Sequence, residues 1–390
     1  MTSVAVTGLG VVSPIGAGPE SFWAALCEGR SGVSDVRAFP TAGMRCPRAA
    51  ECPPAEPCEN RVAALGFEAA RQAVASAGLD SMPDGAALIM GTSVGGLPES
   101  EEAYLRALKK GRRLGGIRPY LNHCPSASTD LIAHKLHQNG PRITVANACS
   151  SGTAALGEAW LMVGTGEVDC ALAGAADALA RLTVGGFNCL RVVTSDVPRP
   201  FDKDREGMAV GEGAAFLVLE NMERARRRGA DILATLEGYG VSSDAYHATA
   251  PDPTGGGPLR CMRQAMEAAG IDVDSLGYIN AHGTGTRAND DAEGRALAAL
   301  LGERAGAIPV VSIKGALGHA LGAAGGFEAA ACVLALRRQT VPPCTGHRMK
   351  EPDLPLFVPT RPLRRSINYV LSINLAFGGN NAALVWRRAP

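Results

Sequence analysis

Short runs of apolar, β-branched residues recur along the whole chain, and most of them end at or near a glycine. Runs bounded in this way predict buried strands at residues 4–6, 86–90, 143–145, 168–172, 214–219, 278–279, 310–313, 369–375 and 383–386. Alanine-rich segments with helical spacing lie between several of them, at residues 61–77, 152–163, 259–269, 291–301 and 326–337. Strands that alternate with helices predict an α/β protein with largely parallel or mixed sheets.

The chain of 390 residues is long enough for two domains or one large α/β unit. Near its middle, a predicted strand leads into a basic helical stretch at residues 221–228, and a new strand-like segment begins at Leu233. We therefore expect an N-terminal half at residues 1–228 and a C-terminal half at residues 229–390.

The charge balance argues against two classes of partner. Lysine plus arginine and aspartate plus glutamate both number 38, so the formal net charge is zero, and no five like charges stand together. Such a chain favours neither nucleic acid nor an anionic membrane as a partner. Only 19% of the residues are charged while 48 are glycine, a composition typical of tightly packed chains, and we expect an oligomer.

The cysteines and the apolar runs indicate a compartment. The 11 cysteines are scattered, without the spacing of a disulfide framework. No apolar run approaches the roughly 18 residues of a membrane span, and the N-terminus lacks the basic start of an export signal, so we expect a cytoplasmic protein.

Cys46, Cys52 and Cys58 have no C-x-x-C pair or nearby histidine, and the GLG at residues 8–10 lacks the third glycine of a dinucleotide-binding loop. We expect neither a metal site nor a nucleotide cofactor.

The strongest local signal is the segment NACSSG at residues 147–152, which directly follows a predicted strand. It predicts a turn that places Cys149 at the N-terminus of a helix beginning near Ser150. The helix dipole and the free backbone N–H groups there favour the thiolate, lower the pKa of the cysteine and can form part of an oxyanion hole. A small buried core residue is an equally open interpretation of Cys149.

Two of the seven histidines lie in glycine-rich turns after predicted strands: His282 opens the motif HGTGT and His319 closes the motif KGALGH. Glycine lets a ligand approach the backbone at the carboxyl end of a strand, which favours a catalytic role for the pair over a structural one. Lys314 is either a solvated surface residue or an amine that donates to a neighbouring imidazole and holds it neutral, with Glu328 compensating its charge. The turn FGGNN at residues 377–381 either directs backbone N–H groups at the same site or simply connects two strands.

Taken together, NACSSG, HGTGT, KGALGH and FGGNN resemble the motifs of the β-ketoacyl-[acyl-carrier-protein] synthases. RPFD at residues 199–202, GEGA at residues 211–214 and SSDAYH at residues 242–247 extend the resemblance to essentially the whole chain. The resemblance implies a thiolase-like fold, in which two similar halves related by a pseudo-two-fold axis stack as five layers, α-β-α-β-α, usually in a dimer.

The resemblance also implies a reaction. Cys149 takes an acyl group from an acyl carrier protein thioester, and malonyl carrier protein loses CO2 to give an enolate that attacks the acyl-enzyme. The product is a β-ketoacyl thioester two carbons longer, made for fatty acid or polyketide biosynthesis. The substrates are carried on the phosphopantetheine of the carrier protein, so no cofactor resident on this chain is expected.

The family pattern assigns roles to individual residues. The backbone N–H groups of Cys149 and Phe377 form the oxyanion hole, and Phe377 also acts as a gate between the acyl pocket and the extender site. His282 and His319 donate to the malonyl thioester oxygen. The remaining implied site residues are Lys314 beside His319, Glu328 behind it, and Thr284, Thr286, Gly378 and Gly379 for binding the malonyl group or the phosphopantetheine arm.

Several alternatives stay open. The set Cys-His-His is typical of elongating synthases, but the chain could be a catalytic subunit that works only with a chain-length-factor-like partner, a non-catalytic scaffold of the same fold, or a cysteine hydrolase. Homodimer and heterodimer are both compatible with it. Asn147 and Asn380 stand where threonine is common in the family, beside the expected site. The best candidate for docking an acidic carrier protein is the basic cluster at residues 109–113.

Overall fold

The computed structural model describes residues 2–53, 58–112 and 116–389. The strands are β1 (Val4–Ser13), β2 (Gly16–Ala17), β3 (Val33–Asp35), β4 (Arg48–Ala50), β5 (Ala87–Gly91), β6 (Arg142–Val145), β7 (Cys170–Asp177), β8 (Val210–Gly211), β9 (Gly213–Asn221), β10 (Ala234–Ser243), β11 (Leu276–Asn280), β12 (Val310–Val311), β13 (Thr340–Val341), β14 (Leu363–Arg364), β15 (Tyr369–Leu375) and β16 (Asn380–Arg388). The α-helices are α1 (Pro19–Cys27), α2 (Arg61–Ser76), α3 (Leu97–Lys109), α4 (Pro125–Lys135), α5 (Ser151–Thr165), α6 (Arg181–Cys189), α7 (Met222–Arg227), α8 (Gly256–Ala268), α9 (Arg287–Leu301), α10 (Lys314–Leu317) and α11 (Ala324–Arg338).

Two five-stranded sheets have the same topology. The first has the order β6-β5-β7-β9-β1 and the second the order β12-β11-β15-β16-β10. Counted within each sheet along the chain, both orders are 3-2-4-5-1, and parallel and antiparallel pairs fall at the same places. The prediction of two similar halves is therefore confirmed. β1 and β10 also pair briefly, so the two sheets join into one continuous hydrogen-bonded path.

Helices cover both sheets and fill the space between them. α5 packs against β5 and β7, α11 packs against β15 and β16, and the two helices contact one another in the middle of the molecule. One apolar cluster unites these two helices with the inner faces of both sheets. A second cluster joins α2 and α4 to the outer face of the first sheet, and a third joins α8 and α9 to the outer face of the second. These are the five layers of the expected thiolase-like sandwich.

The central helices approach closely because small residues line their contact. A Cβ atom added at Gly152 would lie 2.8 Å from the carbonyl oxygen of Gly322 and 2.9 Å from the nitrogen of Gly326. No side chain fits there without displacing backbone. This contact brings the N-terminus of α5, which follows Cys149, against the start of α11, which follows His319.

The boundary that we predict at residue 228 falls between α7 and β10, and it stays a prediction. No helix within the described ranges is both long and apolar enough to cross a membrane.

Candidate active site

A cavity of about 950 Å³ brings together residues that are far apart in the sequence. Cys149, His282, His319 and Phe377 all line it, and so do Thr284 and Thr286. They come from the turns after β6, β11, α10 and β15, so both halves of the molecule contribute to one site. These six sequence-predicted residues therefore converge on one cavity.

Cys149 lies in a tight turn between β6 and α5. Residues Ala148–Ser150 form one 3-10 turn, and α5 begins at Ser151, one residue later than predicted. Ala148 has a positive φ of 49°, a backbone conformation that is strained for an alanine. The hydroxyls of Ser93 and Ser151 both donate to the Ala148 carbonyl, at 2.9 and 2.6 Å, and hold the turn.

The protonation state expected for Cys149 is wrong. Its thiol is buried, and this burial raises its pKa to about 11, above the usual value for cysteine. The charge of Lys314 and the backbone N–H of Phe377 oppose the rise but do not cancel it. Cys149 therefore rests as a thiol, and attack on a substrate requires a base. The backbone N–H of Phe377 is thus close enough to the Cys149 thiol to influence its pKa, as a donor of an oxyanion hole would also have to be.

Hydrogen bonds fix the tautomer of His282. The side-chain amide of Asn374 donates to Nδ1 of His282 at 3.0 Å and to Glu328 at 2.6 Å, while its oxygen accepts from Thr153 at 2.5 Å. Because Nδ1 is the acceptor, the proton of the neutral ring sits on Nε2. Burial lowers the pKa of His282 well below its usual value, and Lys314 and His319 lower it further. His282 is therefore a neutral hydrogen-bond donor.

His319 faces His282 from the other histidine turn. The two ring centroids are 5.1 Å apart, with an angle of 84° between the ring planes. The backbone of His319 is anchored on both sides, because its N–H donates to Ala209 at 2.6 Å and its carbonyl accepts from Gly211 at 2.8 Å. Burial, and after it the charge of Lys314, lowers its pKa well below the usual value. Its Nδ1 has no hydrogen-bond partner among the described residues.

Lys314 supports this pair in a different way from the one expected. Its Nζ donates to the carbonyl of His282 and to the carboxylate of Glu328, both at 2.5 Å. We find no hydrogen bond from Lys314 to His319 in the described part of the chain, so the amine influences that imidazole through its charge alone. Lys314 and Glu328 form a fully buried ion pair, and burial raises the pKa of Glu328 to about 7.

The two threonines line the cavity, whereas the two glycines of the last turn do not. The hydroxyls of Thr284 and Thr286 bond one another at 2.8 Å and line the cavity. Gly378 and Gly379 do not line it. Their N–H groups donate to Ala248 and Ala376, at 2.8 and 3.0 Å, and are not free for a substrate. These bonds give no support to our expectation that the two glycines bind substrate, and that role stays a prediction.

The remaining sequence-predicted residues are Phe377 and the asparagines at positions 147 and 380. The Phe377 ring packs on that of Phe187 from α6, with centroids 5.8 Å apart, and both residues line the cavity. Asn147 and Asn380 are exposed and do not line it, whereas Asn381 does.

Sequence analysis missed several buried polar residues that hold these turns. Besides Asn374, Glu293 of α9 accepts the backbone N–H groups of His282 and Gly283 at 2.6 and 2.7 Å, and burial raises its pKa to about 8. The available signal was polarity inside an otherwise apolar strand or helix face. No group of three or more His, Cys, Asp or Glu side chains suited to a metal ion occurs within the described residues.

Comparison with known proteins identifies the family. The model of the N-terminal domain of beta-ketoacyl synthases matches residues 1–225, and that of the C-terminal domain matches residues 233–348. The chain belongs to the β-ketoacyl synthase family. Among its relatives in the family is the 3-oxoacyl-[acyl-carrier-protein] synthase 2 of Coxiella burnetii, with 36% identity over 99% of this chain and 98% of the relative.

Solved structures of the family support the same assignment. A chain of the ishigamide ketosynthase/chain length factor matches with a TM-score of 0.94 and 37% identity, over 100% of both chains. A chain of AntDE:AntF, a type II PKS acyl-carrier protein in complex with its ketosynthase bound to the hexaketide, matches with a TM-score of 0.93 and 31% identity, again over 100% of both. This member of the family thus shares its entire fold with ketosynthases.

Proposed function

We propose that this chain is an elongating β-ketoacyl-[acyl-carrier-protein] synthase, an acyltransferase that joins an acyl group on Cys149 to malonyl carrier protein with loss of CO2. The observation that carries the proposal is the convergence of Cys149 with two neutral imidazoles, one of which is fixed as a donor by Asn374. A cysteine hydrolase needs only one imidazole and access for water. That function would not explain the second histidine or the buried Lys314–Glu328 pair.

In the first step, the Cys149 thiol loses its proton and its sulfur attacks the acyl thioester carbonyl. We assign the proton to His319, because His282 already accepts on Nδ1 and presents only a donor to the cavity. The N–H groups of Phe377 and Cys149 stabilise the oxyanion, an effect of about 3–4 kcal/mol for a donor of this kind. The bond from the acyl carbon to the carrier sulfur breaks, and the departing thiolate takes the proton from His319.

In the second step, the carbon–carbon bond to the malonyl carboxylate breaks and its electron pair forms an enolate. Nε2–H of His282, together with His319, stabilises the enolate oxygen without transferring a full charge. The enolate carbon then attacks the acyl-enzyme and the bond to the Cys149 sulfur breaks. The Cys149 thiolate takes up one proton from water, which balances the negative charge of the malonyl carboxylate that left as neutral CO2. Thr284 and Thr286 are placed to bind the malonyl carboxylate or the pantetheine arm. The scheme uses this chain's residues and the two thioesters, with no resident cofactor.

The carrier protein is proposed to dock where the cavity opens to solvent. Arg45, Arg191 and Arg287 line the cavity and are exposed, so they stand at its mouth, with Glu206 as an exposed carboxylate among them. Three positive charges against one negative suit a phosphodiester and an acidic carrier surface. The cluster favoured by the sequence is less suitable: Lys109 and Lys110 do not line the cavity, and Arg113 lies outside the described residues.

A second subunit of the same fold is also part of the proposal. β6 is an edge strand of the sheet, and Asn147, two residues before the nucleophile, is exposed in the single chain. Unpaired edges of this kind are usually covered. The solved relatives include ketosynthases with a chain length factor, which supports a heterodimer, and a homodimer is the alternative. We further propose a cytoplasmic location, since all 11 cysteines are free.

The test is intact-protein mass spectrometry of the chain alone after incubation with a panel of acyl carrier protein thioesters. We expect an acyl adduct that persists in water, depends on chain length, is lost in Cys149→Ala and survives in the matched variant Cys189→Ala. Rapid loss of the adduct to water would instead favour the hydrolase. No adduct from any donor, with or without a co-expressed homologous subunit, would leave the non-catalytic scaffold.

A further inference from the structure

Asp177 is a buried carboxylate that the proposed reaction does not use. It is the last residue of β7 and is fully buried. One of its oxygens accepts from the Thr92 hydroxyl at 2.6 Å and from the N–H of Val94 at 2.9 Å, and the other accepts from the N–H of Gly322 at 2.7 Å. The N–H of Ser93 reaches both oxygens, at 3.0 and 2.9 Å. Two segments from different halves of the molecule thus meet on one side chain.

The first of these segments leads to the nucleophile. Residues 92–94 directly follow β5, and the hydroxyl of Ser93 donates to the carbonyl of Ala148 at 2.9 Å. Ala148 is the residue with the strained positive φ, and it immediately precedes Cys149. The carboxylate of Asp177 therefore fixes the loop whose serine holds the Cys149 turn in its strained form.

The second segment leads to a histidine. Gly322 lies three residues after His319, and Leu321 between them has a positive φ of 52°. A Cβ atom at Gly322 would lie 2.7 Å from the Ser93 nitrogen and 2.8 Å from an Asp177 oxygen, so this approach admits only glycine. The backbone after His319 is thus pressed against the loop that holds the Cys149 turn.

We propose that Asp177 is a positioning residue, which fixes the Cys149 turn and the segment after His319 relative to one another. A buried carboxylate that accepts donors from both segments restrains them together, and a neutral replacement loses these charge-assisted hydrogen bonds. The inference rests on the proposed function only in taking Cys149 as the nucleophile.

The test compares the variants Asp177→Asn and Ser93→Ala with Glu220→Gln. Ser93→Ala removes only the hydroxyl that donates to the Ala148 carbonyl, and Ser93 is exposed, so this variant is expected to fold. If Asp177→Asn does not fold, Ser93→Ala still tests the link between the Asp177-bound loop and the Cys149 turn. Glu220 is an equally buried carboxylate at the opposite end of the β7–β9 pair, bound to Arg224 and Arg228. It is the matched control for losing a buried charge.

Two rates are measured on each folded variant: alkylation of Cys149 by iodoacetamide, with exposed Cys189 as internal reference, and acylation at saturating acyl carrier protein. We expect both rates to fall about three- to tenfold in Ser93→Ala and about tenfold or more in Asp177→Asn, with the KM for the carrier unchanged and Glu220→Gln like wild type. The negative charge of Asp177 raises the pKa of Cys149, so its loss alone would speed alkylation. A slower reaction therefore reports position.

Wild-type rates at Cys149 in both folded variants, or an equal loss in Glu220→Gln, would overturn the proposal. Alkylation does not depend on the chain being a ketosynthase. If alkylation slows as expected while even the wild type forms no acyl adduct, the positioning role stands and the proposed function fails.

Discussion

At the residue scale, the site is set by burial as much as by residue identity. Cys149, both histidines and the Lys314–Glu328 pair are almost fully enclosed. Enclosure keeps the thiol protonated and the imidazoles neutral, which is the opposite of a thiolate–imidazolium pair. Proton transfer therefore accompanies attack on the thioester, and hydrogen-bond donors rather than full charges meet the enolate.

The raised pKa of Cys149 makes a direct prediction about pH. Because the thiol has a pKa of about 11, the reactive thiolate is the minor form at neutral pH and its fraction rises about tenfold for each pH unit up to that value. We expect the rate of iodoacetamide alkylation at Cys149 to rise with a slope near one in log units between pH 7 and pH 9.5. A plateau below pH 8, measured by peptide mass spectrometry, would show that the thiolate is already the resting form.

Asn374 carries the second prediction at this scale. Asn374→Ala frees Nδ1 of His282 and removes the bond that keeps the ring proton on Nε2. We expect decarboxylation of malonyl carrier protein to slow by at least about tenfold, while acylation of Cys149 changes little. Released CO2 and the acyl adduct are measured separately. Thr153→Val is the matched control, because it removes only the bond to the Asn374 oxygen; equal effects on both steps would contradict the assignment.

At the element scale, the agreement between predicted and observed segments differed from one element to the next. The strand predicted at residues 369–375 coincides with β15, and the helix predicted at residues 61–77 ends one residue early, at Ser76. β7 runs to Asp177, well past the predicted end at residue 172, because alanine and glycine carry no β-branched signal although they are fully buried. Helices α3, α4 and α6 were missed for a related reason, since their contacts with the rest of the fold are partial.

The close contact of α5 with α11 gives a prediction for Gly152. Gly152→Ala would place a methyl group less than 3 Å from the backbone of Gly322 and Gly326, so the two helices must separate. We expect the free energy of unfolding to fall by about 1–3 kcal/mol, measured by urea denaturation. Gly186→Ala in α6 is the matched control, because a Cβ atom meets nothing within 4 Å there. A neutral or stabilising effect is expected for the control, and the same effect at Gly152 would contradict the packing argument.

At the scale of the whole molecule, one half supplies Cys149, the proposed nucleophile, and the other supplies both imidazoles. The repeated strand order places the turns after β6 and β12 at related positions, so the stacking of the halves brings Cys149 to the histidines. The cavity then opens at a rim where positive side chains outnumber negative ones, although the chain as a whole has no net charge.

That rim carries the last prediction. The double variant with Arg45→Glu and Arg191→Glu reverses two charges at the cavity mouth without touching the catalytic residues. We expect the KM for acyl carrier protein to rise at least about tenfold at low salt, with kcat at saturation nearly unchanged and the difference shrinking as salt is added. Lys109→Glu with Lys110→Glu is the matched control. A larger effect in the control would return the docking site to the cluster predicted from the sequence.

The sequence by itself determined the fold class, the alternation of strands and helices, and the candidate residues of the site. Apolar runs and turn motifs are formed by residues that are neighbours in the chain, so they can be recognised without the structure. Only the tertiary structure decided how those residues behave. The pKa of Cys149, the partners of Lys314 and the contacts of Asn374 and Asp177 depend on burial and on groups distant along the chain. His282 lies 32 residues from Lys314 and 92 from Asn374, and Thr92 lies 85 residues from Asp177. Desolvation and long-range hydrogen bonds are properties of the packed molecule, and no local pattern encodes them.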